Sequence, residues 1–328
     1  MKSESKANYP MEQPSGLCDL IGLGFRLWRQ NLPVIFRAVI IPNLILFSAS
    51  AVFQWAITYG FSSVGDFQKI IGTVVLIALA SVAYLGAGFF YALRQLALVR
   101  YLTGFAETFE AADIYARKRW LDLFGLYSIN AALILVFSAI WGCIMGLSAA
   151  LTAAAGPLGA VVGSVGIAIA VFGLVLTVCV AMLFGLMGVS VLACEEGNFA
   201  QILNSTFRWT FKYFGRALCF SGVYYIVLSA VSVPVSIPIV IASATDVLVH
   251  QVQAGAAGMA DYKISLLALI FEQFWEGLCS LLLRPVLAIS YGLFYLDLRQ
   301  RVDGIDLMAK IKALKAAYIG AADGPQGY

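Results

Sequence analysis

Four ionisable residues sit inside apolar runs of this 328-residue chain: Arg37, Glu272, Glu276 and Arg284. A charge carried into hydrocarbon is costly and by default marks a site, so chemistry is sought there first. Arg37 lies ~8 Å past Leu32 by helical rise and can reach back toward Asp122 or the headgroups, a structural role. Glu272 and Glu276 come just before the stretch best suited to cross, and both are expected on a wetted helix face at the outer interface. Arg284 precedes Pro285, where a missing backbone hydrogen bond leaves carbonyls free to accept from a guanidinium. It is either glue between helices or a seat for an anionic headgroup. Enzymatic patterns are scarce. His250 is the one histidine, and no Ser/His/Asp set, GxSxG, CxxC, HExxH or phosphate-binding glycine loop occurs. The Asn204-Ser205-Thr206 triplet matches a glycosylation acceptor but falls on the expected cytoplasmic side. The six cysteines have no metal or redox spacing. No catalysis, cofactor, metal or nucleic-acid partner is expected.

The elements that carry these residues are set by composition. Hydrophobic residues make up 61% of the chain and charged residues 12%, with a mean hydropathy of +0.89. Such a balance belongs to an integral membrane protein. Of the 21 Lys and Arg, all except Lys69, Lys263, Arg37 and Arg284 fall on one side of the expected spans. Positive residues collect on the cytoplasmic side, so both termini are expected there. Tryptophans gather at headgroup level and vote the same way: Trp28, Trp120 and Trp209 on the basic side, Trp55, Trp141 and Trp275 on the other. The polar stretch 1–15 holds no apolar core of a signal peptide.

One unit is written three times. In Glu195 to Arg216, Phe199, Ile202, Leu203, Thr206 and Thr210 fall on one face of a helix, with Gln201, Asn204, Arg208 and Lys212 on the other. Asn198 stands at the cap with Gln201 at the reciprocal position. The same grammar recurs about 90 residues upstream, where Lys118, Trp120, Phe124 and Gly125 replace Arg208, Thr210, Phe214 and Gly215, and again around Leu17 to Gln30. There Leu20, Ile21, Gly24 and Trp28 are apolar, and Asp19, Arg26 and Arg29 are wet. The expected fold is an all-α integral membrane protein with six transmembrane helices arranged as three hairpin repeats, each preceded by a cytoplasmic amphipathic helix. A polar tail covers 1–15, the repeats 16–100, 101–193 and 194–298, and a cytoplasmic tail 299–328.

A span needs ~20 residues. The first is expected at Leu32 to Gln54, the second at Ile70 to Leu93, the third from Leu121 to Trp141. Gly156 and Pro157 mark the turn of an overlong, glycine-rich third and fourth pair. The fifth starts near Ala217, and Pro234 and Pro238 should kink it or end it early. Lys263 to Arg299 as one helix would be ~55 Å against a ~30 Å core. The expected solution is a span from Gly277 to Leu296 after an outer interfacial helix over Lys263 to Glu276. Asp297, at its inner end, needs a cation, with Arg301 along the helix or Arg208 or Lys212 across it. Gly304 would then stop the helix and Asp306 start a tail.

Two stretches, CEEGNFAQILNSTFRWTFKYFGR and FYLDLRQRVDGIDL, resemble the bacterial multi-pass family called the glycerophosphoryl diester phosphodiesterase membrane domain. The positions that carry this are Glu196, Gly197, Ser205, Arg208, Tyr295, Asp297, Arg299, Arg301, Asp303, Gly304 and Asp306. Leu296 stands where a second tyrosine is common, and Asp303 where glutamate is. The resemblance implies six spans, cytoplasmic termini and an association with envelope or lipid processes, without the catalytic half of such enzymes. Together these readings point to a non-catalytic inner-membrane scaffold or subunit that binds membrane lipids and a protein partner, with Arg26, Lys118, Arg208, Lys212 and Arg284 as lipid-binding candidates. The alternative is a carrier or channel for a small or lipid-like solute, which a polar cavity lined by Asn43, Asn130 or Arg284 would favour.

Overall fold

The computed structural model describes residues 16–60, 67–154, 156–254 and 265–303. Among them, a short helix is followed by two long ones, three times over. The order is α1 (Leu17–Gln30), α2 (Leu32–Trp55), α3 (Phe67–Leu102), α4 (Phe109–Lys118), α5 (Trp120–Ala154), α6 (Gly156–Cys194), α7 (Phe199–Lys212), α8 (Phe214–Ala254) and α9 (Leu266–Asp303). Six of these helices are long and apolar enough to cross a membrane. The chain is thus a multi-pass membrane protein.

Local chemistry explains the short helices and the turns. Thr108 caps α4 by accepting from the Ala111 N–H at 3.2 Å, and at α7 the Asn198 N–H donates to Gln201 Oε1 at 3.1 Å. Gly104 (φ 82°) closes α3, and Gly156 (φ 62°) opens α6, conformations that suit glycine alone among common residues.

The long helices depart from the sequence-based spans in one direction: they do not stop. Helix α3 runs on past Leu93 through Arg94 and Arg100 to Leu102. Pro234 and Pro238 lie inside an unbroken α8, so neither ends it. A proline removes one donor, and its neighbours can re-satisfy the carbonyl it frees. Helix α9 passes through Glu276 and Gly277 without interruption, so the expected separate outer helix does not exist. The cap at Gly304 and the tail from Asp306 lie outside the described residues.

Helix α9 is the axis of the fold, touching α1, α2, α3, α6 and α8. Tyr291, Leu293, Phe294, Tyr295, Leu296 and Leu298 are buried within its C-terminal half. Phe220 of α8 stacks on Phe294 at 4.5 Å and meets Tyr291 edge-on at 5.2 Å, and the Ser221 and Tyr291 hydroxyls are hydrogen-bonded. Trp209 is buried edge-on against Tyr295 at 5.8 Å. The most apolar stretch of α8 buries none of its residues, which suits a helix whose outer surface meets lipid.

Helices α5 and α6 form a hairpin whose closeness depends on small residues. A Cβ built at Gly163 would lie 2.5 Å from the Ser148 carbonyl oxygen, and one at Gly166 would overlap the Ser148 side chain. Backbone cannot swing aside as a side chain can, so Gly163→Ala must part the hairpin. The expected loss is about 1–3 kcal/mol of stability in detergent, read as a lower thermal midpoint; an unchanged midpoint would contradict the close approach.

Candidate functional site

The two stretches that carry the resemblance meet at the end of α6. Beyond Cys194 the helix stops, its last carbonyls face inward, and Glu195 and Glu196 follow, so the negative end of a helix dipole lies beside two carboxylates. Cations and hydroxyls close over it. Arg100 of α3 donates to the Ala193 carbonyl at 2.8 Å and to Glu196 at 2.9 Å, with its guanidinium 3.6 Å over the Tyr115 ring. The Tyr115 hydroxyl of α4 shares its one hydrogen between the carbonyls of Leu192 at 3.1 Å and Glu195 at 3.2 Å. Burial pushes its phenol up, against the pull of the Arg100 and Arg119 cations. Arg119 binds the Gly197 carbonyl at 2.6 Å and Asp122 at 2.7 Å. Tyr295 of α9 donates to Glu195 at 2.5 Å.

Two residues further along α9, Asp297 is fully buried and meets Arg216 at 2.7 Å and Arg301 at 3.0 Å. Arg301 was expected. Arg216 takes the place expected of Arg208 or Lys212, because it opens α8, which packs on α9, whereas Arg208 and Lys212 are exposed on α7. Asp122, a suggested partner of Arg37, is held by Arg119 instead. Gly197 contributes its carbonyl; Ser205 and Arg299 are half-buried. Asp306, like Gly304, is outside the described residues. Sequence reasoning missed Arg100, Tyr115 and Arg216, having counted the arginines only as positive-inside charges. The available signal was the carboxylate pair at a helix C-terminus, an arrangement that needs cations. The knot joins helix ends through paired charges.

Of the lipid candidates, Arg26, Lys118, Arg208, Lys212 and Arg284 are all exposed. Arg208 lies 5.6 Å over the Trp209 ring. Helix α7 that bears Arg208 and Lys212 also turns Phe207 and Phe211 into an apolar cavity of about 390 Å³ between α5 and α6, walled by Leu133, Phe137, Trp141, Val180 and Phe184. Trp141 donates to Thr177 at 3.0 Å at its edge.

A second, polar cleft of about 50 Å³ opens between α2 and α9, lined by Asn43, Ser50, Tyr84, Gln273, Glu276, Ser280 and Arg284. Asn43 donates to the Gly277 carbonyl at 2.9 Å and accepts from Ser280 at 3.3 Å; Ser50 donates to Gln273 at 3.0 Å, and Gln273 to Gln54 at 2.6 Å. The Gly277 backbone admits this approach, since a Cβ there would stand 3.0 Å from Phe47. Asn130, also named for a cavity, lies against Gly185 between α5 and α6 instead.

The contact between Asn43 and Gly277 fixes the register of α2 against α9. Asn43 is ~16 Å past Leu32 by helical rise, and Gly277 with its neighbour Glu276 meets α2 at that level. The seat of α1 agrees, because Gly24 packs so closely on Ser290 that a Cβ would overlap its hydroxyl. Glu276 lies within the long apolar helix α9. Arg284 is ~10 Å further along α9 than Gly277, toward the end that carries Arg301.

No family model matches the chain, and no curated protein and no solved structure is similar to it.

Proposed function

We propose that this is a non-catalytic inner-membrane protein that holds anionic phospholipid, seating an acyl chain in the cavity between α5, α6 and α7 with its headgroup at Arg208 and Lys212. The observation that carries this is α7 itself: one helix supplies both the aromatic wall, Phe207 and Phe211, and the exposed cations. The cavity falls within the ~300–1,000 Å³ range of ligand sites. Lipid tails are as apolar as the wall, so the cavity selects by shape and the affinity must come from charge. Two cations at roughly 1 kcal/mol each amount to roughly thirtyfold.

The three-hairpin repeat, the cytoplasmic termini and the membership suggested by the two signature stretches form part of the same reading. What supports them is the thrice-repeated order of short and long helices and the meeting of Glu195 with Tyr295. A protein partner on the bare face of α8 would make the chain a scaffold. The test is anionic phospholipid retained on the purified protein, measured by mass spectrometry. Arg208→Gln with Lys212→Gln lowers it roughly thirtyfold, and Val180→Trp, which fills the cavity, also lowers it. Arg26→Gln with Lys118→Gln, on helices that wall no such cavity, has less effect. Unchanged lipid in the first two proteins would reject the reading. A carrier for a lipid-like solute is the second reading, favoured by the polar cleft at Asn43 and Arg284.

A further inference from the structure

The cavity between α5, α6 and α7 has a closed end. Its lining runs along α6 from Phe184 to Gly173 and along α5 from Leu133 to Trp141. Helix α7 meets it at the Phe184 end, where Phe207 lies 4.8 Å from Phe184 and stacks on Phe211 at 5.9 Å. At the other end the Trp141 indole sits so close to Gly173 that a Cβ there would overlap the ring. The indole N–H donates to the Thr177 hydroxyl at 3.0 Å, and that hydroxyl donates to the Gly173 carbonyl at 2.9 Å. The ring is thus pinned across the gap between the two helices, and among the described residues the lining ends at this rung.

Length and volume describe the same occupant. Gly173 to Phe184 is ~16 Å by helical rise. An extended chain advances ~1.2 Å per bond, since a residue of three bonds spans ~3.3–3.6 Å, so an acyl tail fills that length with about 14 bonds. Spread over as many methylenes, 390 Å³ leaves each ~28 Å³, close to the ~30 Å³ that a water molecule, a group of similar size, takes in the liquid. That is room for one tail and not two. A tail gains little by exchanging lipid for an equally apolar wall, so fit alone discriminates. A shorter tail leaves a void above the indole, and a longer one must bend against it.

We infer that the cavity selects the lipid it holds by tail length, with Trp141 as the floor that sets the limit. This selection presupposes the lipid site described above and adds the class of tail, one of about 14 bonds beyond the α7 rings. Past the floor the hairpin closes again where Gly166 meets Ser148, ~10 Å beyond Trp141, so removing the indole admits up to ~8 further bonds.

The test uses full-length protein in a steroid-based detergent, which brings no acyl tail of its own. The probe is an equimolar set of saturated phosphatidylglycerols with tails shorter than, equal to and longer than about 14 bonds. Mass spectrometry reads the amount retained and its profile over tail length. The wild type retains the matching tail about tenfold better than the shortest and the longest, the size of a packing misfit. Trp141→Ala moves the peak to longer tails, and Trp141→Phe, a milder change should alanine prevent folding, moves it less. Thr177→Val keeps the indole but unpins it, and broadens the profile toward longer tails. Arg208→Gln with Lys212→Gln lowers the amount at every length without moving the peak, so the amount tests the charges and the profile tests the floor. A flat wild-type profile, or an unmoved peak in both Trp141 variants, overturns the floor while lipid binding stands. An unchanged amount in the Arg208 and Lys212 variant overturns the headgroup placement alone.

Discussion

Replacing Arg100 with Met lowers stability in detergent by about 3 kcal/mol, and the partners of this side chain show why. The Ala193 carbonyl loses its donor at a buried helix end, which costs roughly 1–3 kcal/mol. Stacking over Tyr115 at 3.6 Å is desolvated and contributes up to about 2 kcal/mol. Glu196 matters least, because its side chain is 77% exposed and a pair so wet is worth ~0–1 kcal/mol. The order of effects is therefore fixed in advance: Arg100→Met largest, Arg100→Lys intermediate because lysine keeps the charge but lacks the planar fork, and Glu196→Gln nearly silent. Thermal unfolding of the three purified variants checks this. A Glu196→Gln loss as large as that of Arg100→Met would mean that the ion pair, and not the helix end, holds α3 to α6.

Arg216→Gln is expected to cost about 3 kcal/mol and Asp297→Asn about 1–2 kcal/mol, an asymmetry that burial decides. Asp297 is fully buried, while Arg216 and Arg301 are 31% and 37% exposed. When the acid is removed, the partly exposed cations regain water; when Arg216 is removed, the buried carboxylate keeps Arg301 but cannot replace the lost contact with water. The double variant should lose less than the sum of the two by at least about 1 kcal/mol, since the residues share one interaction. Arg208→Gln, on the helix that sequence favoured for this role, should stay within about 0.5 kcal/mol. Strict additivity of Arg216→Gln and Asp297→Asn, read from thermal midpoints, would dissolve the pairing and leave DLRQR as a membrane boundary only.

Sequence alone determined whatever depends on near neighbours. Apolar run length yields six membrane-length helices because crossing is a one-dimensional requirement. Asn198 with Gln201 marks the start of α7, and Gly156 the turn between α5 and α6, because capping and left-handed backbone are settled within a few residues. The need of Asp297 for a cation, and Arg301 as one of its partners, were equally local. Tertiary structure decided which distant groups meet. Arg216 displaces Arg208 because helix packing, not charge, chooses the neighbour, and Arg119 takes Asp122 from Arg37 for the same reason. Pro234 and Pro238 do not end α8, since breaking a helix inside a membrane would expose backbone that lipid cannot satisfy. Asn43 bonds Gly277 across α2 and α9. That register links residues far apart in the chain, and depth is a property of packed helices, which hydropathy along one helix cannot carry.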